Sequence, residues 1–192
     1  MKIALILSGQ VRCFEKCSDS QKKFLIDDLN ADVFCHFWDT ADLKPNIRSV
    51  VSKERIPDYI HLKDDNNLKN KLLSLYKPKK YIIEPQVKFN NTRFSFRMIS
   101  MYYSMQKAYL LCREYGFYDC IIRCRTDLFF QKPFLIEWLN NLHYVYCLEF
   151  GNGYCQDTFA FGPMKYMDIY SILIIIFVMV FLKVMIVVVN AF

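Results

Sequence analysis

The chain has no C-x2-C pair, no block of arginines and lysines, and no N-terminal stretch with a cleavage-site pattern. Each absence removes a class. Of the eight cysteines, Cys13/Cys17 and Cys120/Cys124 form C-x3-C pairs, whereas zinc fingers and ribbons usually begin from a C-x2-C pair. Cys35, Cys120, Cys124 and Cys147 lie in apolar runs, where cysteine acts as a small hydrophobe, so a reduced, intracellular protein is expected. Lys77, Lys79 and Lys80 make only a small cluster and the net charge is +6, which gives nucleic-acid binding little support. The chain enters an apolar run at once, Lys2–Leu7, and breaks it at Ser8-Gly9-Gln10. No signal peptide is expected, which places the protein on the cytoplasmic side. Hydrophobic residues are 54% and aromatics 17% of the chain, so disorder is excluded. With 192 residues, one domain with a real core is expected.

What is present reads as alternating strands and helices. Lys2–Leu7 is a continuous apolar run, the pattern of a strand buried on both faces of a parallel sheet. Ser8–Arg12 reads as a loop, with Gly9 where backbone approaches something closely. A helix capped by Ser18 or Asp19 is expected to reach Leu29, followed by a strand over Asp32–Trp38. Further on, a strand is expected over Ile56–Leu62, a helix from Asp64 or Asp65 to Tyr76, and a strand over Lys80–Ile83. Phe94–Tyr115 carries the longest helical pattern, with Met98, Met101, Tyr102, Met105, Ala108, Tyr109 and Cys112 at three- and four-residue steps and Gly116 as a stop. After it come strands at Cys120–Cys124, Tyr144–Glu149 and Gln156–Gly162, an amphipathic stretch over Phe134–Leu142, and a helix from Pro163 to about Tyr170. Strand–helix–strand order with crossovers of ordinary length predicts an α/β domain with a mostly parallel sheet.

The chemistry concentrates in Tyr118–Gln131. Cys120–Cys124 is a buried strand, and Arg123, Arg125 and Asp127 recur at every second position, so an extended chain puts them on one face. Ligands of open α/β sheets sit outside the carboxyl ends of the strands. Two arginines there suit an anion, and Asp127 suits a divalent metal; an internal Arg–Asp ion pair closing the strand is the plainer alternative.

The tail differs in kind. Ile172–Val189 is 18 residues with one charge, Lys183, and 11 of them are isoleucine or valine. Two readings stay open: a membrane-inserted segment at the lower limit of spanning length, or an aberrant C-terminus from a shifted reading frame, since a central lysine is costly in hydrocarbon. The expected organisation is a domain over 1–171 and a hydrophobic tail over 172–189.

Taken in order, S-G-Q-x-R (Ser8–Arg12), D-V-F-x-H-x-W-D (Asp32–Asp39), S-M-Y-Y-S (Ser100–Ser104), I-I-R-x-R-x-D-L (Ile121–Leu128) and D-x-F-A-F-G (Asp157–Gly162) resemble a glycosyltransferase-like family of GT-A type, found in bacteria and large DNA viruses. The resemblance covers about residues 1–170. It implies a Rossmann-like nucleotide-diphospho-sugar transferase domain that moves a hexosyl group from a nucleoside-diphosphate sugar to a glycan or other acceptor. It implies donor binding by Ser8, Gly9, Gln10, Arg12, Arg123, Arg125 and Trp38, with His36 and Asp39 lining the cleft. Asp127 would be the metal position, for Mn²⁺ or Mg²⁺ on the diphosphate, and Asp157 the catalytic carboxylate on the acceptor side. Those residue types match the chemistry: the departing diphosphate gains negative charge, and the acceptor hydroxyl must lose a proton.

The chain departs from the family pattern at one point. No literal D-x-D occurs; Arg125 stands where its first carboxylate would be, so Arg123 and Arg125 are also able to neutralise phosphate without a metal. Two other functions stand beside the enzyme: a nucleotide-sugar-binding relic without turnover, and a membrane-anchored protein held by residues 172–189.

Overall fold

The computed structural model describes residues 1–42, 60–87, 96–149, 155–177 and 186–189. Strand β1 (Ile3–Arg12) is the axis of the sheet, and Ile3 to Leu7 are buried on both of its faces, which is why no polar residue alternates through that run. It pairs in parallel with β2 (Asp32–Asp42) on one side and β5 (Cys120–Cys124) on the other. β4 (Lys80–Glu84) runs parallel along β2, and the short β3 (Ile60–His61) meets the far end of β2 antiparallel. Beyond β5 lie β7 (Cys155–Gly162), then β6 (Val145–Glu149), then β8 (Ile186–Val189). β7 is antiparallel to both neighbours and β8 is parallel to β6. The sheet is mixed and mostly parallel, with only β3 and β7 running against the rest.

Helices cover both faces. Leu5, Leu7, Val33, Cys35, Phe37, Ile122 and Cys124 pack with Phe14 of α1 (Phe14–Gln21) and with Leu68, Leu72 and Tyr76 of α2 (Asn66–Tyr76). Ala4, Ile6, Phe34 and Ile121 pack with Met105, Ala108, Tyr109 and Cys112 of α3 (Phe96–Tyr115), and with Met167 and Tyr170 of α4 (Met164–Phe177). Each large apolar side chain so covered contributes about 2 kcal/mol. α2 starts where its cap predicts, the Asp65 carboxylate accepting the Leu68 N–H at 2.9 Å. Gly162 keeps β7 close to its neighbour, because a Cβ there would stand 2.8 Å from the Tyr144 carbonyl oxygen.

Several elements differ from expectation. Ser8–Arg12 is not a loop but the second half of β1, held in the sheet across an irregular register: Gly9 faces Phe37 and Val11 faces Ala41, so Trp38–Thr40 stand opposite Gln10 alone. α1 begins at Phe14 behind Cys13, which takes a left-handed conformation at φ 44°, and continues as wider π-helical turns over Lys22–Asp27. The amphipathic stretch at 134–142 is a 3₁₀ helix over Ile136–Asn141. Of the strand expected at Ile56–Leu62, residues 56–59 lie outside the described residues. α4 passes residue 171 without a break and ends at Phe177, and Ile186–Val189 joins the sheet edge as β8. Among the described residues, no helix is long and apolar enough to cross a membrane.

Candidate functional site

Gly9 lies in the second half of β1, opposite Phe37 of β2 and two residues beyond the last pair with β5, Leu7 with Cys124. Its φ of 104° belongs to the left-handed region, where a side chain strains the backbone. A Cβ built there would meet nothing within 4 Å, so the chain is open on that side. The Gly9 N–H donates to Ser104 Oγ on α3 at 2.7 Å. Next to it Ser8 is buried, and its hydroxyl has no hydrogen-bond partner. Arg12 turns back on its own strand, its Nε and Nη2 donating to Gln10 Oε1 at 3.1 and 2.8 Å. The Arg12 N–H donates to Thr126 Oγ1 at 3.1 Å, tying the end of β1 to the turn after β5.

The three residues expected on one face are split. β5 ends at Cys124, and the chain then turns, so alternation stops before Asp127. Arg123 lies under α3 and α4, 1% exposed, and its Nε and Nη1 have no hydrogen-bond partner. Burial pushes this guanidinium below its ordinary value, while Tyr170 and Asp157 oppose the shift. Arg125 instead grips Asp127 with both prongs, Nε to Oδ1 at 2.9 Å and Nη2 to Oδ2 at 2.5 Å. Burial works against the Arg125 charge, but Asp127 and then Asp157 more than compensate, and its value is raised. The Asp127 charge is felt on the other face, where, after burial, it is the next influence raising the Cys13 and Cys17 thiols.

Asp157 stands on β7 beside this group. The Arg125 N–H donates to the carbonyl of the next residue, Thr158, at 3.2 Å, and Arg123 faces Ala160 in the β5–β7 register. Asp157 acts electrostatically on Arg123, Arg125, Tyr102 and Tyr170. Burial, with Asp157 adding, pushes the Tyr102 hydroxyl up to about 12, and Arg123 opposes it. Two arginines, one carboxylate and two phenols therefore share one neighbourhood at the end of β5.

The second strand contributes packing. Trp38 is 2% exposed and stacked on Tyr103, rings 5.6 Å apart and 14° from parallel, so its π-face is already occupied. Asp39 holds the turn after β3, accepting the Lys63 N–H at 2.9 Å. His36 is fully buried, with Nδ1 2.8 Å from Ser104 Oγ and Nε2 2.9 Å from Glu84 Oε1.

Two polar residues that sequence reasoning passed over organise the site. Gln21, fully buried on α1, donates its amide to the carbonyls of Arg125 and Leu128 at 2.9 and 2.7 Å and accepts the Tyr76 hydroxyl at 2.9 Å. It fixes the turn that carries Asp127, with Ser20 Oγ accepting the Phe130 N–H at 3.1 Å. Ser104 is the other. The available signal was a polar residue amid helical apolar spacing, a glutamine in α1 and a serine in α3.

As the side chains stand, both Asp127 oxygens are engaged by Arg125, and the described residues hold no group of three or more His, Cys, Asp or Glu arranged for a metal. The residues present fit an anion better than a divalent cation. No protein-family model matches the chain, and no curated protein matches it.

Proposed function

We propose that the chain is a GT-A-like glycosyltransferase that takes a nucleoside-diphosphate sugar at the carboxyl ends of β1 and β5. The observation that carries this reading is Arg123, a buried cation with two donor nitrogens unspent on protein partners. A buried guanidinium with two unmet donors costs several kcal/mol, and an anionic ligand above it offsets that cost. Its field acts in a low-dielectric surround, so it need not be exposed to attract a diphosphate at the open side of Gly9. Ser8 and the backbone around Gly9 would meet the nucleotide, and Arg125 and Arg12 would stand nearer the rim.

Asp157 suits the role of base toward the acceptor hydroxyl, because its carboxylate acts on both arginines at the end of β5. Trp38 we assign to packing, since Tyr103 covers it. Binding of Mn²⁺ or Mg²⁺ through Asp127 requires the Arg125 pair to open, so the chemistry here is assigned to the arginines. The test is release of nucleoside diphosphate from UDP- and GDP-hexoses in mixed glycan acceptors, with and without Mn²⁺. The reading predicts release from at least one donor and its loss in Asp157→Asn. Donor binding without release would leave a nucleotide-sugar-binding protein; neither binding nor release would overturn the reading.

A further inference from the structure

Behind Gly9 lies a chain of hydrogen bonds that the donor site does not by itself explain. Glu84 on β4, His36 on β2 and Ser104 on α3 are joined at 2.9 and 2.8 Å, and Ser104 Oγ receives the Gly9 N–H at 2.7 Å. A serine, a histidine and a glutamate are the residue types of a nucleophilic triad. Ser104 and His36 are each 0% exposed, however, and the serine oxygen is already held by Gly9, so no acyl substrate reaches it. The arrangement positions backbone.

Its proton count is the informative part. Ser104 Oγ also lies 3.0 Å from the His36 carbonyl oxygen. With one ring proton, placed on Nε2 to meet the Glu84 carboxylate, the serine hydroxyl has a single hydrogen for two acceptors, Nδ1 and that carbonyl. With two ring protons, Nδ1–H donates to Ser104, Ser104 donates to the carbonyl, and every contact is a hydrogen bond. We propose that Ser104 and His36 are positioning residues that fix Gly9, and that an anion arriving at Gly9 draws a proton onto His36, with Glu84 as its counter-charge. This rests on the nucleotide reading above for the identity of the anion.

In the free protein burial holds the His36 imidazole below its ordinary 6.5, Glu84 opposes that shift, and Lys107 on α3 adds to it. The rings of Trp38 and Tyr103 fill the remaining contacts. A negative ligand two hydrogen bonds away raises the value, and by reciprocity a lower pH tightens the ligand.

The test uses the full chain in two arms. In the first, imidazole ¹⁵N shifts and the Gly9 amide shift are followed against pH without ligand, for wild type and Glu84→Gln, a nearly isosteric change at a partly exposed position. The Gly9 shift is expected to follow the His36 titration, and its midpoint to move to lower pH in Glu84→Gln. In the second, UDP binding is measured by calorimetry near pH 6 in buffers of different ionisation enthalpy. Proton uptake and tighter binding at lower pH are expected, both reduced in Glu84→Gln. A Gly9 shift indifferent to His36, or UDP binding without proton uptake, overturns the proposal. If the first arm succeeds and UDP does not bind at any pH, the coupling of His36 to Gly9 stands, and the ligand-linked proton uptake falls together with the nucleotide reading.

Discussion

Apart from the His36–Ser104 chain under α3, the two faces of the sheet treat buried polar groups in opposite ways. Under α1 and α2, Gln21 spends both amide hydrogens and its oxygen on Arg125, Leu128 and Tyr76, and Asp127 is gripped twice by Arg125. Under α3 and α4, Ser8 and Arg123 are buried with polar atoms that have no partner. A satisfied network fixes one conformation, whereas an orphaned one raises the free energy of the empty protein and is lowered by whatever completes it. The first face holds the turn after β5 in place. The second is where a ligand has something to gain.

Substitutions sharpen this contrast. Gln21→Leu has the largest expected effect: it strands two carbonyls and a phenol in the core and should cost about 3 kcal/mol or more, read as a lower urea midpoint. Arg123→Met should go the other way, stabilising the ligand-free protein by about 2 kcal/mol because it removes a buried charge with two unmet donors, while abolishing nucleotide binding. A destabilised Arg123→Met would break the comparison, since it would mean that Asp157 and Tyr170 more than offset the burial of the guanidinium. Asp127→Asn should cost only about 1 kcal/mol, because both partners of its ion pair are roughly a quarter exposed and screened by solvent, and nucleotide binding without metal should persist.

The smallest effect is the pH dependence of the empty protein. Burial holds His36 below its ordinary 6.5. As the pH falls through 6.5 the unfolded chain takes up a proton that the folded chain does not, so stability declines from there to the folded value and is flat above. Thermal melts between pH 5 and 8 read this, and a melt that improves toward acid would contradict it.

Much of the frame was legible because local rules decided it. Asp65 capped α2, the three- and four-residue spacing of Met105, Ala108, Tyr109 and Cys112 buried one side of α3, and the apolar run Cys120–Cys124 gave β5 its bounds. Failures came where distant partners decide. Ser8–Arg12 looked like a loop, but β2 and Thr126 extend β1 through it. Arg123 and Asp127 share a face only while the chain stays extended, and the turn pinned by Gln21 separates them. Nothing local in the apolar tail encodes the pairing of Ile186–Val189 with β6, which sheet geometry sets.

The central claim is that Arg123, and not Asp127, provides the charge that binds the donor. It is tested most directly by calorimetric titration of UDP and GDP into the full chain, with and without Mn²⁺, in wild type, Arg123→Met and Asp127→Ala. The prediction is binding that does not need the metal, survives in Asp127→Ala and is lost in a folded Arg123→Met. Binding that requires Mn²⁺, disappears in Asp127→Ala and persists in Arg123→Met would contradict it.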